Sequence, residues 1–177
     1  MKHIFYHLTA VMVVVVWGMT FISTKVLIVH GLSAQEIFLF RFLLAYAAVC
    51  PISFHRFFAR NLKDELYLVG GGVLGGSLFF FLQNIALGLT QASNVSFIIC
   101  MAPLLTAVLT VLSVRTEKVS RGFIYGSIIA LLGVGLLIFN GSFILRISPL
   151  GDLLTLLASL SWAFYSLVIR SLTRKYS

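Results

Sequence analysis

The chain has 177 residues, of which 60% are hydrophobic and 10% charged, with a formal net charge of +8. A soluble domain carries about 25% charged residues, and no aqueous core could hide this much apolar side chain, so lipid is the solvent for most of the molecule. A nucleic-acid partner is excluded by placement: the cations sit in short gaps between apolar runs, not on one wettable face.

The first apolar run begins near Leu8 and reaches about Val29. A cleaved signal peptide would carry roughly 7–15 apolar residues and end at small residues, so this run reads as a retained membrane helix. A bilayer-crossing helix needs about 20 mainly apolar residues. Six segments meet that requirement: 8–29, 36–54, 66–88, 92–113, 122–140 and 151–169. Barrel strands would alternate apolar and polar residues, and these runs are apolar on every face. Even the Val-rich stretch 11–16 reads as helix, because backbone in lipid must satisfy its own hydrogen bonds. The fold class predicted is all-α, a polytopic membrane protein.

Charge bias sets the orientation. Lys2, then Arg56, Arg60 and Lys63, then Arg115, Lys118 and Arg121, then Arg170, Arg174 and Lys175 fall on one side; Arg146 alone falls on the other. Both termini are therefore expected in the cytoplasm, which requires an even number of spans.

The first span places Trp17, Phe21 and Lys25 one turn apart, with Thr20 and Thr24 beside them. Aromatic faces stack on aromatic or cationic solutes, yet Trp also settles at membrane interfaces. Lys25, and Arg41 in the second span, are the intramembrane charges. Each reads either as a snorkelling anchor or as an attractor for an anionic group, with Glu36 a candidate partner for Arg41. In the third span the run GGGVLGG offers close helix packing or a sliding surface. Gln83 and Asn84 further along should face protein or water and not lipid, and Asn94 enters from the fourth span at similar depth. The fourth span carries Ser93, Ser96, Cys100, Pro103, Thr106 and Thr110 on one helical face. That stripe suits either a cavity wall or interhelical hydrogen bonds, and Pro103 should disturb the helix at the preceding turn. The fifth span is again glycine-rich. The sixth places Thr155, Ser159, Trp162, Ser166 and Arg170 on one face, and its Trp162-to-Arg170 spacing repeats that of Trp17 to Lys25. The first and sixth spans cross in opposite directions, so the echo is that of an inverted repeat.

Several stretches together resemble the EamA-type members of the drug/metabolite transporter superfamily: WGMTFISTK (17–25), FRFLLA (40–45), ALGLTQASNVSFIICMAPLLTAVL (86–109), RTEKVSRGFIYGSIIALLGVGLLI (115–138) and GDLLTLLASLSWAFYSLVIR (151–170). The resemblance implies ten helices in two inverted five-helix repeats around a central substrate cavity. On that pattern residues 1–148 are a first five-helix repeat and 149–177 the first helix of an incomplete second one. The expectation is a fragment, or a short protein assembling as a homo-oligomer or with a complementing second-half chain. The small multidrug exporters use a membrane Glu for proton exchange; here Glu36 and Asp152 lie only at the outer ends of their spans, and Asp64, Glu65 and Glu117 in the cytoplasmic gaps. Enzyme motifs, metal-ligand spacings and cofactor signatures are not found, so no catalytic, metal or cofactor role is expected.

The function expected is a secondary transporter moving a small metabolite, amino-acid-like or amphipathic compound across a bacterial inner membrane by alternating access. The alternative is a non-transporting truncated protein or assembly scaffold. Candidates for the substrate cavity are Trp17, Thr20, Phe21, Lys25, Arg41, Gln83, Asn84, Asn94, Ser96, Cys100, Pro103, Trp162 and Ser166.

Overall fold

A computed structural model describes residues 2–53, 61–113, 120–139 and 148–176. Arg56, Arg60, Arg115, Glu117, Lys118 and Arg146 lie outside the described residues. The described residues form six helical rods and no strand: α1 (Lys2–Val29), α2 (Ala34–Ser53), α3 (Leu62–Leu89), α4 (Ala92–Ser113), α5 (Arg121–Phe139) and α6 (Pro149–Tyr176). Each overlaps its predicted span. Five are long and apolar enough to cross a membrane; in α5 the apolar stretch Arg121–Gly133 is shorter.

Local chemistry ends and starts the rods. After α1 the chain turns at Gly31, whose φ of 97° is open to glycine and costly for other residues. Leu32 N donates to Leu27 O and Gly31 N to Ile28 O, each at 3.1 Å, the paired bonds of a Schellman motif. A capping box then starts α2: Ser33 Oγ accepts from Glu36 N at 3.2 Å, and Glu36 Oε2 accepts from Ser33 N at 2.8 Å. Asn61 caps α3 by accepting from Asp64 N at 2.9 Å.

Two rods are irregular. The segment Gly72–Leu78 of α3 is a π-helical stretch, and Ser161 Oγ of α6 donates to Leu74 O inside it at 2.8 Å. In α4 the helix is broken between Ile99 and Ala102. Pro103 cannot donate to the carbonyl one turn back. The chain tightens there, Met101 N bonding Ile98 O at 3.0 Å, and Ser159 Oγ of α6 also approaches Ile98 O at 3.4 Å.

The packing has a hydrophobic outside and a partly polar inside, as lipid solvent demands. Leu, Val, Ile and Phe side chains along α1 and α2 are exposed, whereas Thr24, Gln83, Asn84, Thr155 and Ser159 are buried. Lipid tails match Leu in polarity and give helices no hydrophobic drive to associate, so close packing and polar contacts hold the bundle. The main seam joins α3 and α6, which run antiparallel. Gly71 lies under Ile169 and Tyr165, Gly75 directly under the Tyr165 ring, and Gly151 of α6 under Thr90. Lys175 Nζ binds Asp64 Oδ2 at 2.6 Å at one end of this seam, and Thr90 Oγ1 meets Asp152 Oδ1 at 3.4 Å at the other. The GGGVLGG run is thus a packing surface through Gly71 and Gly75, with Gly76 against Phe42. The fifth-span glycines differ: Gly122, Gly126 and Gly133 have no neighbour within 4 Å of an added Cβ among the described residues, and Gly135 touches only Phe97.

Candidate functional site

The central feature is an aromatic contact between the first and sixth rods. The Trp17 and Trp162 rings stand 5.4 Å apart at 41°. Phe79 of α3 packs on Trp162 at 4.9 Å, and Tyr165 lies 5.1 Å from Trp162. Offset, tilted rings at such separations attract by about 0.5–1.5 kcal/mol per pair beyond their burial. The helices that carry these rings are fixed by the Gly75–Tyr165 and Thr90–Gly151 contacts.

Two cavities meet at this cluster. The smaller, about 420 Å³, lies among α1, α4, α5 and α6 and is walled by Trp17, Phe21, Ile99, Cys100, Leu131 and Trp162 among others. The larger, about 570 Å³, lies among α4, α5 and α6 and includes Thr106, Thr110, Ser120, Phe123, Ser166 and Arg170 in its wall. Pro103 and Trp162 belong to both walls. The break beside Pro103 therefore stands where the two spaces adjoin.

The α4 stripe supplies much of the wall. Ser96, Cys100 and Pro103 face the smaller cavity, and Pro103, Thr106 and Thr110 the larger. Their hydroxyls bond within α4: Ser96 to Ala92 O at 2.7 Å, Thr106 to Ala102 O at 2.9 Å and Thr110 to Thr106 O at 2.7 Å. Ser166 does the same with Trp162 O at 2.9 Å. These side chains give the cavities hydroxyl lone pairs and methyl groups while their donors are occupied.

Of the residues singled out from the sequence, Trp17, Phe21, Ser96, Cys100, Pro103, Trp162 and Ser166 line one or both cavities. Thr20, Lys25, Arg41, Gln83, Asn84 and Asn94 line neither. Thr20 donates to Trp17 O at 2.6 Å. Lys25 Nζ reaches across to the end of α3, donating to Leu87 O at 2.5 Å and Thr90 O at 2.9 Å. A cation at the negative end of a helix is favourable, so this lysine caps its neighbour. Arg41 donates to Thr24 Oγ1 at 3.2 Å and stacks 5.4 Å from the Phe80 ring centre; Glu36, its expected partner, instead bonds Ser33. Asn84 Nδ2 points to Ala34 O of α2 at 3.5 Å, and Asn94 Nδ2 to Thr90 Oγ1 at 3.4 Å. Gln83 is fully buried, and the register of the seam sets it level with Ala158 of α6. Both of its amide atoms, with Asn84 Oδ1 and Arg41 Nη1, have no hydrogen-bond partner among the described residues. Thr110, Phe123 and Arg170 line the larger cavity and were not among the cavity candidates; Thr110 and Arg170 carried a signal in the helical spacing of their stripes.

Apolar rods facing outward around cavities walled by aromatic, aliphatic and hydroxyl side chains define a polytopic α-helical membrane protein. The profile of the EamA-like transporter family matches residues 4–139, most of the chain. The chain belongs to that family, and its class is membrane transport of the drug/metabolite type. The matched segment ends with α5 and leaves α6 beyond it. No curated protein and no solved structure matches the chain.

Proposed function

We propose that the chain is a secondary carrier, or part of one, that moves a small metabolite, amino-acid-like or amphipathic compound across the bacterial inner membrane by alternating access. The observation that carries this reading is Trp162, whose ring walls both cavities and packs on Trp17 of the oppositely directed α1. A carrier must expose one site to one side at a time. An aromatic contact between helices of opposite direction can part when one helix group rocks against the other. Trp17, Phe21, Ser96, Cys100, Pro103, Trp162 and Ser166 bind the solute in this reading. The Lys63, Arg121, Arg170 and Lys175 end is cytoplasmic, on the positive-inside rule, so the larger cavity opens toward the cytoplasm. Residues 1–148 act as a first repeat and 149–177 as the first helix of an inverted second, completed by a complementing second-half chain or a second copy.

The test is solute flux in proteoliposomes made with the intact reading frame. Trp17→Ala and Trp162→Ala should each lower flux about five- to tenfold, the loss of one or two aromatic contacts. Leu44→Ala, at a side chain 72% exposed on α2, should leave it unchanged. Equal effects from all three would remove the site assignment.

A further inference from the structure

Arg41 stands about 10 Å along α2 from its first residue, Ala34. A full charge within a membrane helix is costly unless an opposite charge and hydrogen bonds answer it. The partners of Arg41 among the described residues are a hydroxyl and a ring: Nη2 donates to Thr24 Oγ1 of α1 at 3.2 Å, and the guanidinium lies 5.4 Å from the Phe80 ring centre of α3. Nη1 is buried with no hydrogen-bond partner among the described residues. Acids are scarce, five against 13 Lys and Arg. Glu36 is held by Ser33, Asp64 by Lys175 at the opposite end of the bundle, and Asp152 by Ser148 and Thr90. Glu65 shares the first turn of α3 with Asp64, and Glu117 lies outside the described residues.

Two neutral groups turn into the same gap between α1, α2 and α3. Asn84 stands one turn outward of Phe80 on α3, and its Nδ2 reaches Ala34 O at 3.5 Å, so it lies level with the start of α2. Ala34 and Arg41 share one face of α2, and helical side chains lean toward the N-terminus, which carries the guanidinium outward from Arg41 toward Asn84. Asn84 is fully buried, its Oδ1 has no partner among the described residues, and its N–H contact is at the long limit of a hydrogen bond. Thr24 is buried too. Thr20 and Ser23 beside it donate to carbonyls of their own helix, whereas Thr24 accepts from Arg41 and keeps its proton for another acceptor.

We propose that a small inorganic anion of the chloride class sits in this gap, bound by Arg41 with Thr24 and Asn84 as neutral donors, one from each of three rods. A water would meet the donors and leave the charge unanswered; an anion does both. Arg41 is only partly buried, which leaves a small ion an approach to its head. Ile37, one turn outward of Arg41 on α2, is buried, and Phe80 lies against the guanidinium, so the enclosure suits an ion and not a lipid headgroup. None of the three donors lines either cavity. The anion instead clamps α1 and α2 to α3, and α1 carries Trp17 and Phe21 of the smaller cavity. The inference stands independently of the carrier reading.

The full chain in a neutral detergent is unfolded by heat while sodium chloride replaces sodium gluconate at constant ionic strength, gluconate being too bulky for the gap. A ligand at about ten times its dissociation constant should raise the midpoint by about 4 °C. Arg41→Gln should abolish the difference between the two salts. Thr24→Val, which keeps the shape and removes the hydroxyl, should raise the half-maximal chloride concentration about tenfold, the loss of one hydrogen bond to a charged group; it carries the test if Arg41→Gln does not fold. Equal midpoints of the unaltered chain in both salts would overturn the proposal, as would a chloride response that survives Arg41→Gln or is untouched by Thr24→Val. Native mass spectrometry covers the lipid: a bound phospholipid lost on Arg41→Gln, with no response to chloride, would assign the charge to a headgroup and overturn the ion.

Discussion

Gly75→Ala is the sharpest probe of the α3–α6 seam. An added Cβ would stand 2.5 and 2.8 Å from Cδ2 and Cδ1 of Tyr165, and closer still to Cγ. Optimal carbon contacts lie near 3.5–4.0 Å, so the helices must part by about 1 Å. The obstacle is the base of the ring, held beside Trp162, and not the free end of a flexible side chain. Parting would loosen the Gly71–Ile169 contact and the Ser161–Leu74 hydrogen bond on either side. Overpacking of this kind costs about 1–3 kcal/mol. Gly72→Ala is the control, because nothing lies within 4 Å of its added Cβ, and its effect should stay within about 0.5 kcal/mol. Unfolding in a denaturing detergent, followed by helix content, measures both. A double-mutant cycle isolates the contact: in a Tyr165→Ala background the Gly75→Ala penalty should largely disappear. An equal penalty in both backgrounds would refute the seam geometry.

Four other substitutions, in three experiments, probe the buried amide, the lysine cap and the orientation. Gln83→Leu replaces a fully buried amide whose polar atoms have no partner among the described residues, and should stabilise the chain by about 1 kcal/mol or more in the same unfolding assay; a large loss would show that the amide is hydrogen-bonded in the membrane. Lys25→Met removes the donor to Leu87 O and Thr90 O and should cost about 1 kcal/mol of stability while leaving solute flux unchanged; lost flux with intact stability would return Lys25 to the solute site. For orientation, Gln91→Cys should label from the outside and Lys63→Cys from the cytoplasm with an impermeant thiol reagent, and the reverse pattern would invert the topology.

The rods were legible in the sequence because lipid leaves the backbone few choices: an apolar run of sufficient length becomes a helix whatever its local propensities. The break in α4 was legible from Pro103, whose missing N–H acts within its own helix. The π-helical stretch of α3 was not, because the glycine run signals close approach without saying what approaches, and Tyr165 and Ser161 arrive from far along the chain. Trp17 and Trp162 were legible from a shared spacing and an opposite direction. Gln83 and Asn84 point about 100° apart as neighbours on a helix; Asn84 turns to α2, and Gln83 is fully buried. Lys25 depended on where α3 ends in space, which no local pattern carries. Arg170 was legible on the Trp162 face from its helical spacing, and it lines the larger cavity beside Trp162.

A solute cavity beside Trp162 must be open to water. Cys100 lines the smaller cavity at the α4 break. In a Cys50→Ser background, a charged, membrane-impermeant methanethiosulfonate reagent applied to the cytoplasmic side should modify Cys100. A cysteine placed at the exposed position 44 of α2 should resist it, shielded by lipid. Modification of Cys100 alone is the predicted result. A Cys100 as unreactive as the cysteine at position 44 would contradict a solute cavity in this bundle.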